Sequence, residues 1–300
     1  MYLANILIVL TLGISLAQSA ATKNENQTAL ADYLTRTTRL GTTGTDVTDR
    51  TQYSYHASVQ LVEGNTHLCS ASLIDKEHLL TSAFCLHDLV VDGSITNPDD
   101  LAKLKEAEDL QVVLGIIRIG ATTDRVVKAL KYIFIHEDWA YLTGKNDIAV
   151  LRIEEAFEDF TDNVKSIGLA TATPAAGAEC RSSGWTEGAT SSNLKVNTFK
   201  VVARGACTTA VGAATEGQFC GEDSSVSCQG ELGSPVICNA AQAGIVSQYT
   251  CATTTGPMTD VSYYADWIEE QQKRSGSSSL MNSAYLLSIC IFAWMYMYKN

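Results

Sequence analysis

From residue 53 onward the chain alternates short apolar runs with turn-forming residues. Ala57-Ser58-Val59-Gln60-Leu61-Val62, Val112-Val113-Leu114, Ile148-Ala149-Val150-Leu151, Lys200-Val201-Val202 and Gly244-Ile245-Val246 are each too short for a helix of ordinary length. Recurrent short strands of this kind predict an all-β barrel or sandwich. Two segments interrupt the pattern. Asn97-Pro98-Asp99-Asp100 supplies a cap, a proline at the first helical position and an acidic first turn, which predicts a helix over 98–109. A second helix is predicted over 262–273, with Tyr263, Trp267 and Ile268 forming its apolar face.

The two ends depart from this rhythm. Residues 1–20, MYLANILIVLTLGISLAQSA, are apolar from Ile6 to Leu16 and then small at Ala17, Ser19 and Ala20. They read as a secretory signal peptide, although the leading region carries no positive charge. Residues 21–41 are polar and free of cysteine, as expected of a linker or pro-segment, and Asn26-Gln27-Thr28 places a glycosylation sequon at Asn26. Residues 274–300 hold a polar spacer and an apolar tail over 280–298. At roughly 19 residues the tail is at the lower margin for a membrane span. It also fits a glycolipid-anchor signal, whose tail is removed from the mature chain. Either reading puts the globular part on the extracellular face of the plasma membrane; a secreted chain without an anchor is the alternative.

Composition narrows the partner class. The chain has 33 acidic and 21 basic side chains and a net charge of -12, which disfavours attraction to nucleic acid or anionic lipid and leaves a protein partner. Of nine cysteines, Cys290 lies in the apolar tail; the other eight fall between residues 69 and 251. In an exported chain they imply four disulfides, and counting cannot choose their pairing. No zinc-ligand or calcium-loop spacing emerges, so no metal and no cofactor is expected.

Several phrases, taken together and in order, resemble the chymotrypsin-like (trypsin-fold) serine proteases over residues 42–273. They are Cys69-Ser70-Ala71-Ser72-Leu73-Ile74, Leu79-Leu80-Thr81-Ser82-Ala83-Phe84-Cys85, Asn146-Asp147-Ile148-Ala149-Val150-Leu151, Cys180-Arg181-Ser182-Ser183-Gly184-Trp185 and the loop from Cys228 to Cys238. The resemblance implies two six-stranded antiparallel β-barrels with a C-terminal helix. It also implies the bridges Cys69–Cys85, Cys180–Cys238, Cys207–Cys220 and Cys228–Cys251.

The family's chemistry needs a serine made nucleophilic by a histidine that an aspartate orients. In this chain those positions hold Leu232, Phe84 and Asp147. Leucine has no atom able to attack a carbonyl, phenylalanine exchanges no proton, and the aspartate is left with nothing to orient. His87 and Ser234 are close in sequence but belong to the wrong parts of their loops. The five histidines, His56, His67, His78, His87 and His136, are expected at the surface or in local hydrogen bonds.

The resemblance bears on activation and specificity too. Family members are activated when a new hydrophobic N-terminus buries its ammonium against an aspartate beside the catalytic serine. Here the corresponding positions are Thr42-Thr43-Gly44-Thr45 and Glu231. The substrate pocket is altered at Val226, Ser247, Gln248 and Tyr249, while Gly230 retains half of an oxyanion hole. An unusually long segment, 86–109, carries Asp88, Asp92, Asp99, Asp100, Glu106, Glu108 and Asp109 against Lys103 and Lys105, and is expected to rim the cleft. The sequence therefore reads as a non-catalytic homologue that binds a protein, such as an active protease or its substrate. An endopeptidase with a non-standard nucleophile and a structural or adhesion protein are the alternatives.

Overall fold

The computed structural model describes residues 44–89, 102–141, 143–185, 192–209, 212–222, 231–247 and 255–274. The expected signal segment, the sequon at Asn26 and the C-terminal tail lie outside them.

Six strands close the first barrel: β1 (His56–Leu61), β2 (His67–Leu73), β3 (His78–Thr81), β4 (Leu110–Leu114), β5 (Val126–Ile135) and β6 (Ala149–Ile153). Their spatial order is β1-β2-β3-β6-β5-β4, all antiparallel, with β4 returning to β1. Side chains in a strand alternate between faces. Ala57 and Val59 of β1, and Cys69, Ala71 and Leu73 of β2, accordingly enter the barrel core. The intervening His56, Ser58, Gln60, Ser70 and Ser72 point the other way and are also buried.

What covers them is the second barrel. It comprises β7 (Glu179–Gly184), β8 (Lys195–Val202), β9 (Gln218–Glu222), β10 (Pro235–Cys238), β11 (Ala241–Val246) and β12 (Thr255–Asp260). The order is β8-β7-β10-β11-β12-β9, and pairing of Val202 with Cys220 and of Lys200 with Glu222 closes the ring. Thr45–Asp46 adds a short strand to the edge of β8. Phe199, Val201, Phe219, Val236, Val246 and Met258 fill this barrel. The seam between the barrels is both apolar and polar. Tyr53, Tyr55, Val113, Trp185, Leu194 and Ile237 pack together there, and Ser72 Oγ donates to Gln242 Oε1 at 2.7 Å.

Disulfides join Cys69 to Cys85, Cys180 to Cys238 and Cys207 to Cys220. Each typically contributes about 2–4 kcal/mol, chiefly by restricting the unfolded chain. The expected partnership of Cys228 and Cys251 falls outside the described residues.

Two helix expectations need correction. Of the helix expected over 98–109, residues 98–101 fall outside the described residues; Ala102–Leu104 is a strand paired with His87–Leu89, and Ala107–Asp109 forms a 3-10 turn. Long-range pairing has overridden the local start signals, and Lys105 N–H completes it by donating to Leu86 O. The C-terminal helix α1 runs Ala265–Lys273, later than expected. Asp260 holds Ser262 in a turn through its backbone N–H and hydroxyl, which delays the start. Ile268 is buried as expected, but Tyr264 rather than Tyr263 faces the core; Tyr263 is 55% exposed.

Because both partners are buried, Ser72→Ala should leave Gln242 Oε1 short of a donor and lower the unfolding free energy by about 1–3 kcal/mol. Equilibrium denaturant unfolding measures this. An unchanged midpoint would show that the seam does not depend on the bond.

Candidate functional site

The CQGELGSP loop is described from Glu231 onward. Ser234 N–H donates to Glu231 O at 2.9 Å, and Gly233 has φ 76°. Positive φ at the third residue defines a type II turn, which favours glycine. Space demands it as well, since a Cβ on Gly233 would lie 2.1 Å from Ser70 O. The turn is pinned on both sides: Ser70 N–H donates to Leu232 O, and Gly233 N–H donates to Val246 O.

The Glu231 carboxyl group points into the seam and is fully buried. Its Oε1 pairs with His67 Nε2. Its Oε2 accepts from Ser70 Oγ at 2.7 Å and from Trp185 N–H at 2.8 Å. Beyond these, Ser58 Oγ lies 2.7 Å from His67 Nδ1 and accepts from Gln60 Nε2 at 2.8 Å. On the other arm, His56 Nε2 lies 2.9 Å from Ser70 Oγ, and Ser183 Oγ lies 3.0 Å from His56 Nδ1.

One proton assignment satisfies every member. His67 Nε2–H donates to Glu231 while its Nδ1 accepts from Ser58. His56 Nε2–H donates to Ser70 while its Nδ1 accepts from Ser183. His56 is then neutral, in keeping with burial, the main cause that pushes its pKa down to about 3. Trp185 lies edge-on to both rings, at 4.9 Å from His56 and 5.5 Å from His67. Gly184 permits this closeness, because a Cβ there would come within 2.8 Å of Glu231 Cβ and 2.7 Å of Ser234 Oγ.

The three positions expected from the sequence to correspond to the family's triad sit on the other side of the loop. Phe84 is buried after β3, its ring stacked on Tyr141 at a centroid distance of 5.0 Å. Leu232 is 3% exposed and joins Phe84 in the core cluster of the first barrel. Asp147 is buried, and its Oδ1 accepts from Ser82 Oγ at 2.7 Å and from Phe84 N–H at 2.9 Å. The aspartate thus fixes the backbone of the residue whose side chain would be the base in the family's arrangement. Neither Phe84 nor Leu232 offers an atom for proton exchange or nucleophilic attack.

His87 is turned to Ala83 O, with its Nδ1 at 2.8 Å. Burial, first among the causes, holds its pKa below the ordinary value. Ser234 is fully buried, and its Oγ has no hydrogen-bond partner among the described residues. Ser247 is buried and its Oγ donates to Pro257 O at 3.2 Å. Val226, Gly230, Gln248 and Tyr249 fall outside the described residues.

The sequence reading of the histidines needs revision. His56, His67 and His78 are buried, and His67 bonds to a residue far along the chain rather than locally. His78 does bond locally, to Asp75. For His56 the signal was available in the alternation of β1, whose polar positions would be solvent-facing only if no second barrel covered them.

Two packed antiparallel barrels, with motif residues where strand ends and loops meet between them, define a chymotrypsin-like architecture. The trypsin family model matches residues 42–268. Trypsin II-P29 of Gallus gallus is 31% identical over 222 residues, covering 68% of this chain and 79% of the relative. Serine protease SP24D of Anopheles gambiae is 28% identical over 225 residues, or 72% of this chain and 76% of the relative. Trypsin-3 of Salmo salar is 27% identical over 229 residues, or 72% and 86%. The chain belongs to the trypsin family.

The buried neutral His56 makes stability depend on pH. Its folded pKa, about 3, lies below the ordinary 6.5, so its contribution is complete above pH 6.5 and is lost as pH falls toward 3. Within that window one extra proton binds the unfolded chain, giving a slope of about 1.4 kcal/mol per pH unit. His56→Gln keeps a donor and an acceptor but cannot titrate. Unfolding free energies measured across this range should show the slope reduced by about one proton; an unchanged slope would mean that His56 does not titrate on unfolding.

Proposed function

We propose that this chain is a non-catalytic member of the trypsin family that works by binding a protein at the cell surface. The observation that carries the reading is the pair of apolar side chains, Phe84 and Leu232, packed in one core cluster where the chemistry needs a base and a nucleophile. Neighbours do not make up the deficit. Ser234 is buried on the Gly184 side of the turn, His87 is engaged with Ala83, and a displacement of about 1 Å from productive geometry already costs around 100-fold in rate.

Supporting this, the loop that would need an activating ammonium has an internal substitute. Glu231 is bonded by His67, Ser70 and Trp185. Of the segment corresponding to the activated terminus, Thr45 pairs with Val196 at the edge of β8, and the adjacent Asp46 pairs with Lys195 at 2.7 Å. A fold held in this way keeps its shape without keeping its reaction.

Partner recognition is assigned to the long segment over 86–109. Its described parts form the antiparallel pair His87–Leu89 and Ala102–Leu104, braced by an ion pair between Lys105 and Asp88. A paired, braced insertion on a disulfide-bonded scaffold presents side chains in fixed positions, which lowers the entropic cost of binding. The acidic residues of the segment suit a basic surface. Export through the N-terminal segment and display through the C-terminal tail complete the proposal, and among the described residues no helix is long and apolar enough to cross a membrane.

The test is a serine-directed fluorophosphonate probe applied to the purified protein, with bovine trypsin alongside as the positive control. The expected result is no labelling and no hydrolysis of peptide amide substrates. Labelling of a defined serine, abolished by Asp147→Asn, would establish a non-standard nucleophile and overturn the proposal.

A further inference from the structure

Between β6 of the first barrel and β7 of the second, the last part of the connection reads Ala170-Thr171-Ala172-Thr173-Pro174-Ala175-Ala176-Gly177. Three ties hold it to the second barrel. Ala170 N–H donates to Gln242 O at 2.9 Å, Thr173 Oγ1 donates to Asp260 Oδ2, and Gly177 N–H donates to Val201 O at 2.7 Å. Between the ties the side chains face water: Thr171, Ala172, Thr173, Ala175 and Ala176 are all exposed.

The two threonines are not equivalent. The Thr173 hydroxyl is committed to Asp260, whereas Thr171 makes no side-chain hydrogen bond among the described residues. Pro174 follows Thr171 by three positions. Its ring fixes its own φ and biases Thr173 away from helical geometry, so the segment does not coil over the Thr171 hydroxyl. Of the chain's four prolines, Pro235 and Pro257 lie within β10 and β12, and Pro98 is outside the described residues. Pro174 is therefore the described proline that stiffens an exposed loop. The alanines around Thr171 have no bulk to keep an enzyme from the backbone, and from Ser166 to Ala178 the chain carries no charge. Threonine set among proline and small residues at a surface is the composition of O-glycosylated segments.

We propose that Thr171 is an O-glycosylation site that accepts an N-acetylhexosamine from a nucleoside-diphosphate sugar. In the transfer, Thr171 Oγ forms a bond to C1 of the sugar as the bond from C1 to the phosphate oxygen breaks. The nucleoside diphosphate leaves with the bonding electrons, and the hydroxyl proton is released to solvent. The site is separate from the cleft and does not depend on whether the cleft is catalytic. It rests on the reading of residues 1–20 as an export signal, because the transferases that start such chains act in the secretory pathway.

The test produces the full-length protein in animal cells, recovers it from the surface or the medium, and localises sugars by electron-transfer fragmentation of its peptides. The expected result is one N-acetylhexosamine, or a chain built on it, at Thr171, and its complete loss in Thr171→Ala although Thr173 remains. Exported protein with an unmodified Thr171, or with the sugar on Thr173 instead, would overturn the proposal. Retention of the protein in the cytosol would refute the export reading alone. In that case the purified, folded, full-length protein is incubated with a polypeptide N-acetylgalactosaminyltransferase and UDP-N-acetylgalactosamine. Transfer to Thr171 then supports the acceptor site, and no transfer overturns it.

Discussion

The buried carboxyl group of Glu231 is the point on which the arrangement depends. Removing such a group from water is expensive, and the expense is offset only if both oxygens are bonded. Here three donors from two separate segments meet on it: His67 and Ser70 from β2, and the Trp185 backbone after β7. The glutamate therefore ties the turn that contains Leu232 to both barrels at once. Its two histidine arms extend the same logic outward through Ser58, Gln60 and Ser183. Fully satisfied buried networks of this sort specify one packing over its alternatives.

Steric constraints enforce the same arrangement. Gly233 admits Ser70 O against the turn, and Gly184 admits the Glu231 side chain against β7. On the far side of the turn, the core of the first barrel reaches through Leu232 to Phe84 and Tyr141. The region where the family arranges reactive groups is thus continuous with hydrophobic core. Asp147 remains, serving Ser82 and the backbone of Phe84, so it has an evident structural role. The presence of that aspartate beside Phe84 has a physical account on this basis.

Much of this was legible in the sequence, and the failures are informative. The barrel class followed from short apolar runs, and ordered motifs located the positions of Phe84, Asp147 and Leu232. Two kinds of feature were hidden. The helix expected over 98–109 failed because local capping signals cannot register that residues 102–104 have a strand partner at 87–89. His56 was misplaced because a polar residue alternating with apolar ones reads as solvent-facing, whereas a second barrel covers that face of β1. His67 and Glu231 are 164 residues apart, and no periodicity in either neighbourhood announces their contact.

The central claim is that the loop is ordered by its own buried network and needs no newly exposed N-terminus. Comparing a chain that starts at residue 21 with one that starts at residue 42 tests this directly, using Trp185 fluorescence and unfolding free energy together. The account predicts the same emission and stabilities that agree within about 0.5 kcal/mol, the usual range for changes away from the core. A gain of about 2 kcal/mol or more in the shorter chain, with a shifted emission spectrum, would show that the terminus inserts at Glu231 and would contradict it.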